Sequence, residues 1–147
     1  MDAEKRSRVK KILAVLPGGS SNIEHLGTSE AEALNERIMS RCCHRERLIM
    51  SFIDALREPQ LMFADADGWR KLTDFIPESD RERTVYVVSD LYGYFRLPAS
   101  RVPEVLDSEL WTHEVYVVGS DVDWLVGIKH ENVFLQGKTA ALAPGNY

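Results

Sequence analysis

Four carboxylates in the C-terminal half are spaced so that they could act together. They lie at the ends of predicted hairpins: Asp90, Asp121, Asp123 and Glu131. Paired carboxylates perform acid–base catalysis or bind a divalent cation, and the nearby histidines His113 and His130 could join them. Turn chemistry explains Asp90 and Asp121 more simply, because aspartate side chains hydrogen-bond to the local backbone in turns. We therefore prefer turn structure to catalysis and name no catalytic residue.

The other reactive side chains, Cys42, Cys43 and His44, are consecutive. A zinc site needs four ligands at separated positions, and the sequence has no C-x-x-C or H-x-x-x-H motif. Adjacent cysteines seldom form a disulfide with each other, because the bond would strain the backbone. G-x-S-x-G, P-loop and H-E-x-x-H motifs are also absent. We predict no metal, no cofactor, and free thiols in a reducing, cytoplasmic compartment, and we prefer a non-enzymatic protein to an enzyme.

The charges of the chain are unevenly distributed. The 147 residues carry 18 Lys and Arg against 23 Asp and Glu, a net charge of −5. Residues 1–57 have a net charge of +2, and residues 58–147 have a net charge of −7. An acidic C-terminal part repels phosphate backbones, which disfavours nucleic acid as a partner and suits a basic protein. The alternative interpretation is that this charge serves solubility alone.

Aromatic residues are concentrated in the same acidic half. Most of them should pack between helix and sheet, but one or two at a hairpin rim could anchor a protein partner. We predict partner-binding residues that combine the rim aromatics with the nearby carboxylates: Asp90, Tyr92, Tyr94, Asp121 and Asp123.

The first third of the chain has the apolar spacing of helices. Residues 3–16 predict a short amphipathic helix that ends before Pro17, and residues 29–56 predict a long one. Arg45 interrupts the apolar stripe of the long helix, so either the helix kinks near residues 42–45 or Arg45 extends to the edge of the stripe. A third short helix is predicted over residues 67–76.

From Thr84 the period changes to that of β-strands. Strands are predicted over residues 84–89, 94–97, 114–118 and 124–129, with a last one from Asn132 and a helix capped by Ser100 over residues 100–110. This order predicts a ββαββ core made of two antiparallel hairpins, whose strands VYVVSDLYGYF and VYVVGSDVDWL resemble each other. The final residues, KTAALAPGNY, are predicted to be loosely ordered.

These elements together predict one α+β domain over residues 1–147. N-terminal helices in a helical part, 1–57, pack on an antiparallel sheet in a sheet-containing core, 67–136. No apolar run reaches eighteen residues, and the N-terminal apolar stretch is too short for a signal peptide, so we expect no membrane association.

The segment from Trp69 to Gln136 resembles small uncharacterised bacterial α+β proteins near the Smi1/Knr4 (SUKH) immunity superfamily. The resemblance rests on three stretches with a helix between the second and third: WRKLTDFIP, VYVVSDLYGYFRL and EVYVVGSDVDWLVGIKHENVF. It implies a protein-binding role, commonly the inhibition of a cognate toxin, and no catalytic residues are carried over from it.

We therefore expect a cytoplasmic, non-enzymatic protein that binds a protein partner, such as a basic toxin domain, as an immunity-type inhibitor. One alternative is a small enzyme or ligand-binding regulator with a pocket between the sheet and the long helix. Another is a structural homodimer formed through the predicted helix 29–56.

Overall fold

A seven-stranded antiparallel sheet is the centre of the fold within the part of the chain that the structure, a computed structural model, describes: residues 2–43, 60–63, 68–108, 114–129 and 132–137. The strands are β1 (Glu24–His25), β2 (Gln60–Phe63), β3 (Thr84–Ser89), β4 (Gly93–Pro98), β5 (Glu114–Gly119), β6 (Trp124–Lys129) and β7 (Asn132–Gly137). Their order across the sheet is β1-β4-β3-β5-β6-β7-β2. The hairpins β3–β4 and β5–β6 join because β3 pairs with β5.

Helices cover both faces of this sheet. They are α1 (Ala3–Ala14), α2 (Thr28–Cys42) and α3 (Val102–Leu106), with 3₁₀ helices at Gly68–Phe75, Glu78–Asp80 and Ala99–Arg101. Helices α1 and α3 and the end of the first 3₁₀ helix pack in one hydrophobic cluster, against the face that carries Val87 and Val117. Helix α2 packs on the opposite face, which carries Val88 and Val118. The prediction of an α+β fold, with N-terminal helices on an antiparallel sheet and a ββαββ core, is confirmed.

Helix α1 follows the prediction closely. The side chain of Asp2 caps it by accepting a 2.8 Å hydrogen bond from the backbone N–H of Lys5. Val9, Ile12 and Leu13 are buried, because their spacing places them on one face of the helix. The helix ends at Ala14, two residues before the predicted end.

The prediction of one continuous helix over residues 29–56 is wrong, because α2 ends at Cys42. Cys43 is extended, with φ −115° and ψ 155°. If the helix continued, the side chain of Cys43 would be rotated by about 100° from that of Cys42 around the helix axis. Because the helix ends at Cys42 and Cys43 is extended, both thiols are buried in the hydrophobic cluster between α2 and the sheet. The rest of the predicted helix, including Arg45 and the second half of the apolar stripe, lies outside the described residues.

The predicted helix 100–110 is also shorter than expected. A 3₁₀ turn precedes α3, Ser100 lies exposed within that turn, and no side-chain cap bonds to the start of α3. Pro103 lies in the first turn of α3, where its missing N–H costs no helical hydrogen bond. Residues 109–113 lie outside the described part of the chain, as does the predicted loose tail.

Two strands were not predicted, and both lie at edges of the sheet. Strand β1 pairs with β4 through Glu24 and His25, inside the part of the chain predicted as helical. Strand β2 pairs with β7 and precedes the predicted sheet-containing core, 67–136. These strands have only two and four residues, which is too short for an alternating pattern to be recognised in the sequence. No helix among the described residues is long and apolar enough to cross a membrane.

Candidate functional site

The predicted partner-binding residues do not form one surface. Asp90, Tyr92 and Tyr94 belong to the β3–β4 hairpin, whereas Asp121 and Asp123 lie in the β5–β6 turn. Strands β3 and β5 are antiparallel and in register, so these two turns lie at opposite ends of the sheet. Five residues of strand separate them, a distance of about 17 Å. The predicted carboxylate cluster is therefore not formed by Asp90 and Asp121, and Glu131, His113 and His130 lie outside the described residues.

Tyr92 is a core residue and not an exposed aromatic anchor. Its side chain is only 6% exposed. Its hydroxyl accepts a 2.9 Å hydrogen bond from Nε of Arg8, which ties the β3–β4 turn to α1. Because its ring packs in the cluster on the α1 side of the sheet, the predicted contact of Tyr92 with a partner would require this buried ring to become exposed.

Asp121 lies in a turn that arginines from two other segments hold in place. Its carboxylate is 3.4 Å from Nη1 of Arg83. Its backbone carbonyl accepts from Nη1 of Arg41 at 2.7 Å, and the carbonyl of Ser120 accepts from Nη2 of Arg37 at 3.1 Å. Arg37 and Arg41 of α2 therefore place positive charge beside the acidic turn, although they belong to the part of the chain that lies far from it in sequence.

A cleft of about 490 Å³ opens at the other end of α2, near the β1 edge of the sheet. We call it the α2 cleft. Residues of α2 form one wall of it, and α1, β1 and β4 contribute the rest of the lining. Its lining includes Arg6, His25, Glu32, Asn35, Glu36 and Tyr94.

The α2 wall of the cleft combines carboxylates with an aromatic ring. Glu32, Asn35 and Glu36 lie three and four positions apart, so they share one face of the helix. The hydroxyl of Tyr94 donates a 2.9 Å hydrogen bond to Oδ1 of Asn35, which fixes the ring against this face. Burial raises the pKa of the Tyr94 hydroxyl, so the group stays a neutral donor at physiological pH.

Arg6 of α1 and His25 of β1 also line the cleft. The His25 ring stacks on Phe95, with 4.7 Å between the ring centroids. Its Nε2 lies 2.8 Å from the carbonyl oxygen of Tyr92, and a carbonyl can only accept, so Nε2 carries the proton. Burial lowers the pKa of His25, and the charge of Arg6 adds to the effect, although the Tyr92 carbonyl opposes it. His25 is therefore a neutral imidazole near pH 7.

The carboxylates near this cleft differ in their pairing. Glu24 and Glu30 both bind Arg96, at 2.8 and 3.0 Å. By contrast, neither Glu32 nor Glu36 forms an ion pair with any described residue. Two exposed carboxylates thus face the cleft without a counter-ion from the described part of the protein.

The described residues include no candidate metal-binding site. No group of three or more His, Cys, Asp or Glu residues among them could hold a metal ion. Cys42 and Cys43 are both buried and free of disulfides. These thiols pack with α2 and the sheet, which is the usual role of a buried cysteine.

Comparison of the chain with protein-family models, with curated proteins and with solved structures returns no match.

Sequence reasoning identified one residue of the α2 cleft, Tyr94, and missed the others. The spacing of Glu32 and Glu36 was visible as an exposed face of the predicted helix, which is usually only solvated. The sequence did not indicate His25 or Arg6 as site residues. They reach the cleft only through the tertiary placement of β1, a two-residue strand, and of α1.

Proposed function

We propose that this chain is a non-enzymatic protein-binding protein that docks a basic partner at the α2 cleft. The observation that carries this proposal is the pair of unneutralised carboxylates, Glu32 and Glu36, beside the half-buried ring of Tyr94. Aromatic groups next to a charged rim are typical of surfaces that anchor proteins. An immunity-type inhibitor of a basic toxin domain is the form of this function that we favour.

The acidic part of the chain would act at long range in this scheme. The net charge of −5 attracts a basic protein and raises the rate of encounter. The partner would then be held at the α2 cleft by contacts that exclude water. Inhibition would be stoichiometric, because the bound protein would cover the functional surface of its partner. Cys42 and Cys43 are buried and form no disulfide, which supports a reducing, cytoplasmic compartment for this function.

Affinity capture with paired variants tests the proposal. Wild-type protein, the double variant Glu32→Gln/Glu36→Gln and the double variant Asp121→Asn/Asp123→Asn are used as bait in extracts of the native host. Captured proteins are identified by mass spectrometry, and binding is measured again with each purified candidate. Both double variants remove two negative charges, so a net-charge effect is the same in each.

We expect a basic partner whose dissociation constant rises for the Glu32/Glu36 variant and changes little for the Asp121/Asp123 variant. An equal loss in both variants would mean that only net charge matters. A larger loss in the Asp121/Asp123 variant would move the site to the β5–β6 turn.

A second candidate function is the binding of a small ligand, and the size of the cleft favours it. Small-molecule sites have volumes of about 300–1,000 Å³, and the α2 cleft has about 490 Å³. It also lies between the sheet and the long helix, where a regulator of this kind was expected. Saturable stabilisation of the wild-type protein by a polar metabolite, lost on Tyr94→Leu substitution, would support this candidate.

A further inference from the structure

We propose that the α2 cleft receives a single basic side chain, a guanidinium or ammonium group of the partner, between the carboxylates of Glu32 and Glu36 and the ring of Tyr94. This inference rests on the proposed function and names the chemistry that the site recognises. Two properties of the cleft support it: the charge of its lining residues and the ring of Tyr94.

The charge of the cleft favours a cation. Of its titratable lining residues, Glu32 and Glu36 each carry a negative charge, Arg6 carries a positive charge, and His25 is neutral near pH 7. The carboxylates lie four residues apart on one helix face, about one turn of helix, so a forked guanidinium can bond to both. Neither carboxylate has a cationic partner among the described residues, so a ligand would not have to displace an existing ion pair.

The Tyr94 ring gives the cleft a surface that suits the same cation. A cation over the face of a tyrosine ring is attracted by the ring electrons and keeps its apolar stem against the ring. The hydrogen bond to Asn35 holds the ring in place before the ligand arrives. No described residue accepts a hydrogen bond from the Asn35 amide nitrogen, which could donate to a carbonyl group of the partner backbone.

Arg6 favours a position of the cation next to α2. Its Nη2 donates a 3.4 Å hydrogen bond to the carbonyl of Leu26. Its positive charge offsets one of the two carboxylates, so the charged side chains Glu32, Glu36 and Arg6 together carry one net negative charge. We therefore expect the cation to lie beside Glu32 and Glu36 and away from Arg6.

Nuclear magnetic resonance titration of the full, ¹⁵N-labelled chain tests this inference. The probes are N-acetyl-L-arginine methylamide, its neutral citrulline counterpart and N-acetyl-L-glutamate methylamide. We expect saturable shifts at Glu32, Glu36 and Tyr94 with the arginine probe, at a dissociation constant on the order of 1 mM. Binding of the citrulline probe should be at least about tenfold weaker, because it forms no charge-assisted hydrogen bond.

Three variants test which residues of the cleft bind the arginine probe. Glu32→Gln/Glu36→Gln should abolish the shifts, Asp121→Asn/Asp123→Asn should leave them unchanged, and Arg6→Gln should tighten binding by about threefold, since it removes a like charge. Glu32 and Glu36 are exposed, and an unchanged melting temperature verifies that their variants are folded.

Equal binding of arginine and citrulline probes, shifts centred on the β5–β6 turn, or no shifts at all would overturn the inference. These results separate it from the proposed function. If a partner depends on Glu32 and Glu36 but the arginine probe does not bind, the single-cation inference fails and the protein-binding function stands. If the probe binds in the cleft but no partner depends on it, the protein-binding function fails.

Discussion

Trp124 donates a hydrogen bond from its indole Nε1 to Oδ2 of Asp80, at 2.5 Å and in the interior of the protein. The indole is 1% exposed and the aspartate 7%. The other oxygen of Asp80 accepts from Nη1 of Arg83 at 3.1 Å. This contact joins the loop that precedes β3 to the start of β6, and it forms where Gly119 leaves room for the indole ring.

Substitution of Gly119 by alanine should destabilise the fold. A Cβ at this position would collide with the indole of Trp124, which is held by Asp80 and cannot move freely. We expect a loss of about 1–3 kcal/mol in the free energy of unfolding, measured by urea denaturation. Asp123→Ala, at an exposed position in the same turn, is the control and should change stability little. Equal effects of the two substitutions would contradict this account.

At Val122, substitution by glycine should lower the melting temperature less than substitution by alanine, which is the reverse of the usual order. Its φ is +53°, in the left-handed region, although its side chain is only 1% exposed. Val122→Ala loses packing and keeps the backbone strain, whereas Val122→Gly loses packing and relieves strain of about 1–2 kcal/mol. We therefore expect the glycine variant to have the higher melting temperature.

The matched control for that comparison is Val118, which is buried near the end of β5. There, glycine should be less stable than alanine, because the backbone is extended and glycine loses more entropy on folding. If Val122 and Val118 show the same order, the conformation at Val122 does not carry strain.

His25 should make the protein less stable in mild acid. Its pKa in the folded state lies below its ordinary value of 6.5, mainly because the ring is partly buried. As pH falls through 6.5 toward the lowered value, the unfolded chain binds this proton before the folded protein does, so stability decreases. Above pH 6.5 both states are neutral at this residue and the effect is absent.

The variant His25→Gln isolates this contribution, because glutamine can donate a hydrogen bond and does not titrate. Melting temperatures are measured between pH 7.5 and about 5. We expect the difference between wild type and variant to change over this interval in favour of the variant as pH decreases. A constant difference would exclude His25 as the source of the pH dependence.

Alanine substitutions of the two tyrosines in the β3–β4 hairpin should have different effects, one on partner binding and the other on stability. Tyr94→Ala should speed dissociation of the partner, with a cost on the order of 2 kcal/mol if the ring is an anchor. Tyr92→Ala should instead lower the melting temperature, because the ring is buried and bonded to Arg8. Binding kinetics of the folded fraction should be unchanged by Tyr92→Ala. Faster dissociation in the Tyr92 variant alone would contradict this assignment.

The strands were the most predictable part of this fold. Residues 84–89 and 124–129 form strands with the predicted bounds, because their β-branched and aromatic residues fit a sheet covered on both faces. The end of α2 was not predictable, because burial of Cys43 depends on tertiary packing. Strand β1 depends on the same kind of contact, since two residues become a strand only by pairing with β4.

The site was less predictable than the fold, for an electrostatic reason. The sequence separates a basic N-terminal part from an acidic C-terminal part, but folding places Arg37 and Arg41 on the acidic β5–β6 turn. The same helix carries Glu32 and Glu36 to the cleft at its other end. Position along the chain is thus a poor guide to local potential, and only the tertiary structure shows which carboxylates remain unpaired.

The hydrophobic residues on the two faces of the sheet form separate clusters, and only one of these clusters contains residues of α2. Helix α2 presents Glu32 and Glu36 to solvent while Leu34 and Ile38, from its other side, pack against the sheet. The separate cluster beneath α1 and α3 contains no residue of α2. Unlike Arg37 and Arg41, which bond to the β5–β6 turn, Glu32 and Glu36 could be exchanged with little cost to folding. Under the proposed function, substitutions at these two positions would suit the same scaffold to a different partner.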